Sequence, residues 1–101
     1  MGAPFHESLR LQAKTDQALL AFIRTDLGVC LTFAAVAETA YSMGHREHAE
    51  RTIAEAEKGY SDMLRFLLWA RGMTPDVEKA LQSKFNLLRE RLDVLQRLRQ
   101  S

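Results

Sequence analysis

The sequence predicts an all-α fold: an antiparallel bundle of three long or four shorter helices in a single domain, residues 1–101. Three observations carry this. Apolar residues recur at three- and four-residue steps along the chain, and no stretch alternates as a strand would. Gly44, Gly72 and Pro75 fall where such periodic segments end. The third is the stretch from Asp26 to Met43, in which twelve of eighteen residues are apolar and Glu38 is the only charge after Asp26. A helix apolar around most of its circumference should be covered by neighbours on most sides. Its longest charge-free run, Leu27 to Ala37, is eleven residues, short of the ~20 that cross a bilayer.

The elements read in order as 5–24, 26–43, 45–71 and 75–99. From Phe5 to Arg24, Leu9, Ala13, Leu20 and Ile23 share one face, and Leu27 continues it. Thr25 or Asp26 could cap a new helix, and Gly28 weakens helix by about 1 kcal/mol relative to Ala. Against a break, the stripe runs on in phase through Cys30, Leu31, Ala34 and Tyr41, so the first two helices are either separate or one continuous rod. A rod from Phe5 to Met43 would be about 58 Å long at 1.5 Å per residue and would overhang the next helix by several turns. Gly44 suits the left-handed residue after a helix. The following helix buries Ala49, Ile53, Ala56, Tyr60, Met63, Leu64 and Leu67, with Gly59 at a close crossing, and ends at Arg71-Gly72. Thr74 then caps the last helix, with Pro75 in its first position and Asp76 in its first turn. Leu81, Phe85, Leu88, Leu92 and Leu95, spaced 4-3-4-3, give that helix its buried face.

Around Gly44, the series Phe33, Ala37, Tyr41, Gly44, Ala49, Ile53 and Ala56 resembles one tetratricopeptide-type helical hairpin, within residues 30–60. The resemblance implies a tight antiparallel hairpin and, beyond that, peptide binding. It departs from the repeat at Ser61, where a closing Pro would stand. The opening helix, through Arg10, Asp16, Leu19, Leu20 and Arg24, resembles that of all-helical chorismate mutases. Those enzymes add a Lys about three turns after the arginine; Ala35 occupies that place here, which removes the cation a dicarboxylate needs.

No residue set reads as a catalytic, cofactor or metal site, and no cofactor is expected. His45, Glu47, His48 and Glu50 have neither the i, i+4 histidines nor the Glu-x-x-His order of metal-binding helices. They read as a solvated helix start. Cys30, among Val29, Leu31 and Phe33, reads as a buried inert thiol. A lone cysteine and an N-terminus without basic leader or apolar core point to the cytoplasm. The 14 basic and 13 acidic residues nearly cancel, and no aromatic interleaves the basic residues of the last helix. Nucleic acid is therefore not an expected partner, and neither is a membrane. Glu38 is expected as a buried carboxylate paired with an arginine, or with Tyr41 as an effector site.

The remaining signal is a surplus of apolar surface. Phe66 and Trp69 lie off the main stripe of the third segment, and Leu87, Val94 and Leu98 form a second stripe on the last. Two stripes on a helix imply two neighbours or a partner chain. The expectation is a non-enzymatic interaction or assembly module that forms a homodimer. The alternatives are an effector-binding bundle and a nucleic-acid accessory protein using the basic last helix.

Overall fold

The structure, a computed structural model, describes residues 4–70 and 73–100, with side chains from Asp16 onward within those ranges. It contains three helices and, among the described residues, no strand: α1 (Pro4–Ser42), α2 (Arg46–Trp69) and α3 (Pro75–Gln100). The two N-terminal segments are one helix, and neither Thr25 nor Asp26 caps anything. The reason lies in burial. Ile23, Leu27, Cys30, Ala34 and Ala37 are all at most 1% exposed along one in-phase stripe, which outweighs the cost of about 1 kcal/mol at Gly28. Leu9 and Ala13 lie outside the described side chains.

Gly44 ends α1 with φ at +78°. The His45 amide donates to the Ala40 carbonyl at 2.8 Å and the Gly44 amide to Tyr41 at 3.1 Å. This six-to-one and five-to-two pair satisfies the last carbonyls of the helix. The chain reverses within three residues, so α2 runs antiparallel to α1. Phe22 and Phe66 meet with centroids 5.5 Å apart, and Gly59 faces Cys30: a Cβ built on Gly59 would lie 2.5 Å from the Cys30 Sγ. Gly59 is thus the close crossing within an unbroken helix.

α2 ends at Trp69, two residues earlier than expected, because Ala70 turns to extended backbone (ψ 134°). The expected stop at Arg71-Gly72 lies outside the described residues. Leu64, expected inside, is exposed, and Thr52 is buried, its hydroxyl donating to the His48 carbonyl at 2.9 Å. For α3, the Thr74 hydroxyl accepts from the Val77 amide at 3.3 Å. Asp76 and Glu78 complement the positive end of the helix, and Arg97 and Arg99 the negative end. Tyr60 meets Phe85 at 5.9 Å and Glu50 meets Arg99 at 3.9 Å, so α3 is antiparallel to α2. Its five 4-3-4-3 residues are all buried.

These contacts align the ends. The end of α2 lies level with about residue 19 of α1, and α3 begins level with about residue 18. Roughly the first fourteen residues of α1 therefore run past both, about 20 Å at 1.5 Å per residue, in a molecule 65 Å long.

Gly44→Val should destabilise by about 1–2 kcal/mol or more, since a β-branched residue does not tolerate positive φ. Chemical denaturation measures this, and a loss no larger than that of an exposed substitution such as Lys58→Val would contradict the turn. Thr74→Ala removes the cap oxygen and should cost about 0.5–2 kcal/mol by the same assay. An unchanged midpoint would mean that the cap contributes nothing.

Candidate interaction surfaces

The side of α1 facing away from α2 and α3 carries no charge from Ala18 to Met43. It is formed by Phe22, Thr25, Val29, Thr32, Val36, Thr39 and Met43, with Ala21, Gly28 and Ala35 beside them; all are exposed. The expectation that neighbours cover this helix on most sides is therefore corrected. α2 and α3 occupy one side, and Val29 and Val36, counted as core by composition, face outward. The seven residues are spaced 3-4-3-4-3-4, the heptad spacing of a helix seam. The signal was present in the sequence but merged with the buried stripe one residue further on. Among the described residues, Asp16–Ser42 is also long and apolar enough to cross a membrane by length and composition.

Two features mark the ends of this face. Near Met43, a shallow apolar groove of about 420 Å³ opens between Ala35, Thr39 and Met43 of α1 and His45 and His48. At the other end Phe22 stacks edge-on to Phe66, which stacks edge-on to Trp69 at 5.8 Å. Phe66 is half-buried in this ladder and Trp69 is 58% exposed. Of the expected interface residues, Phe66 and Trp69 thus extend the α1 face. Leu87 and Val94 lie on the opposite flank, where with Glu38, Glu90 and Arg91 they line a second groove of about 320 Å³. Leu98 is exposed further along α3. The five residues do not form one patch.

Glu38 is exposed, which corrects its expected burial: its position on α1 lies at the edge of the α3 contact rather than inside it. Tyr41 packs against the core, and its hydroxyl is buried without a hydrogen-bond partner. Glu38 lines the groove with Leu87 and Val94, which does not include Tyr41. His45, Glu47 and His48 are exposed, Glu50 pairs with Arg46 at 3.4 Å, and no group of three or more possible metal ligands occurs among the described residues.

A network of polar contacts joins α2 to α3. Arg89 grips Glu57 with two nitrogens, at 2.8 and 3.1 Å. It also donates to Asp93 at 3.0 Å and lies over the Tyr60 ring, 5.0 Å from its centroid. Gln96 adds a bond to Glu57 at 3.3 Å. The hydrogen bond from Arg89 holds the Glu57 carboxyl below its ordinary range, against the opposing effect of burial, and Glu57 in turn raises Arg89. Arg97 donates to the Asp93 carbonyl at 3.4 Å and Arg99 sits beside Glu50. Arg89 and Arg99 are thereby engaged with α2, while Lys79, Lys84, Arg91 and Arg97 are exposed on α3. Burial pushes the Cys30 thiol up to about 11, helped by Asp26, whose own carboxyl is raised by burial and by Asp62 across the crossing. A thiol so placed is a poor nucleophile.

No family model, characterised protein or solved structure matches the chain. The tetratricopeptide resemblance accordingly rests on the residues of the hairpin alone.

Because Glu57 is lowered in the folded state, its contribution is complete above its unfolded value of about 4.3. It is lost as pH falls through the lower folded value. Glu57→Gln should therefore melt below the parent chain at pH 7, and the gap should close as pH falls from about 5 to 2. Thermal melts across that range check this, and a constant gap would mean that the ionised pair adds no stability.

Proposed function

We propose that the chain is a non-enzymatic helical interaction module that works by self-association: an antiparallel three-helix bundle that pairs as a homodimer. The observation that carries this reading is the charge-free outer face of α1, continued by Phe66 and Trp69. Leaving a large apolar side chain in water forgoes ~1.5–3 kcal/mol relative to burial. A small domain has only ~5–15 kcal/mol of stability in total, so a row of such residues on one face is better explained by a protein partner than by packing within one chain. A cytoplasmic setting fits the unpaired buried Cys30.

The rival readings have less behind them. An effector site at Glu38 and Tyr41 has less support because Glu38 is exposed at the α3 edge while Tyr41 packs against the core. A nucleic-acid surface on α3 has Lys79, Lys84, Arg91 and Arg97 exposed, but Arg89 and Arg99 already pair with Glu57, Asp93 and Glu50, and no aromatic interleaves the charges.

Sedimentation equilibrium at micromolar concentration should give a dimer. Trp69→Glu should shift it toward monomer, and Arg97→Glu should not. A monomer at every accessible concentration would defeat the proposal.

A further inference from the structure

We infer that the self-association surface is the outer face of α1 and that its occupant is α1 of a second copy, running antiparallel. This rests on the self-association reading and gives it a face, a direction and a register.

The first argument is the size pattern. In the heptad from Phe22 to Met43, the large residues hold one seam position and Thr25, Thr32 and Thr39 hold the other. Antiparallel helices set the first kind of position against the second. Phe22 then meets the partner's Thr39, Thr25 meets the partner's Val36, and Val29 meets the partner's Thr32. Every layer joins one large and one small side chain. Parallel pairing would set Phe22 on its own copy and then threonine on threonine, giving alternately crowded and thin layers.

The second argument is the two ends of the face. The Phe22–Trp69 ladder and the groove at Thr39 and Met43 lie about 30 Å apart along one helix, at 1.5 Å per residue. A two-fold axis between Val29 and Thr32 carries each aromatic end onto the other copy's groove, filling both at once. An isologous interface requires this self-complementarity.

A spin label at Ser42→Cys, with native Cys30 buried and unlabelled, reads the direction by dipolar distance measurement on the full chain. Antiparallel pairing puts the two labels about 35 Å apart, from 23 residues at 1.5 Å each. Parallel pairing puts them within about 10–15 Å, since adjacent helix axes lie 8–10 Å apart. Thr39→Glu should weaken the dimer at least tenfold, and circular dichroism should stay unchanged because Thr39 is exposed. Val94→Glu, on the other flank, should have no effect. A dimer with short label distances, or one sensitive to Val94→Glu and not to Thr39→Glu, overturns this inference and leaves self-association standing. A monomer throughout, whether or not it binds phosphatidylcholine vesicles, overturns both.

Discussion

The architecture depends on how closely α2 can approach α1. Gly59 has no side chain to hold the helices apart, and the Cys30 sulfur occupies the space its Cβ would need. Around this point the contact is made of small residues: Ala34, Ala37 and Ala40 on α1, Ala49 and Ala56 on α2, all buried. Small residues bring helix backbones together and leave little width between them. α3 then lies in the groove formed by the pair, where Leu81, Phe85, Leu88, Leu92 and Leu95 supply the bulk that the alanines lack. With two neighbours on one side, α1 is covered over about half its circumference. Its outer face is left open by this geometry.

α3 is held differently. It shares the apolar core, but the position along the α2 groove is pinned by Arg89, whose planar fork takes the Glu57 carboxylate with two bonds and whose face rests on Tyr60. Fork-to-carboxylate pairing is geometrically demanding, so it fixes the sliding of one helix on another better than an apolar stripe can. Both partners keep about a third of their side-chain surface exposed, which limits the desolvation cost that a fully buried pair would carry. The contact therefore specifies register more than it adds net stability. It also commits one of the five basic residues from Lys84 to Arg99 to the helix contact.

Much of the fold was legible in the residues. Gly44 and the Thr74-Pro75-Asp76 series act through local backbone chemistry, which does not depend on tertiary context, and both ends form as expected. The buried stripe of α3 was equally plain because it is the only long 4-3-4-3 row of large residues on that helix. α1 was harder. Its two apolar rows, through Ile23 and Leu27 on one side and Phe22 and Val29 on the other, run one residue apart. Composition merges them into one apparently core helix, and separating them requires knowing where α2 sits. Glu38 was misplaced for the same reason: a carboxylate among apolar residues looks buried until one side of the helix is known to be open. The Glu57–Arg89 pair joins residues 32 apart in sequence and depends on the register of two helices, for which the chain carries no local mark.

The two rows on α1 also bear on what kind of surface the helix offers. By composition, Asp16–Ser42 is apolar enough to cross a bilayer. Its inner row is already covered by α2 and α3, and those helices carry charged outer faces. Taking them into lipid would cost about 2.5–3.5 kcal/mol for each central Arg or Lys on insertion scales. Withdrawing α1 alone would strip the cover from Ile53, Ala56, Met63 and Leu88. Any one face of a helix recurs at three- and four-residue steps, but lipid is a solvent without a repeat, and a surface facing it has no reason to place threonine at every second seam position. A second helix does have that reason, because its own side chains recur with the same period and must find a hole at each step. The alternation of large residues with threonine along the outer row therefore argues for a helical partner more directly than its hydrophobicity argues for a membrane.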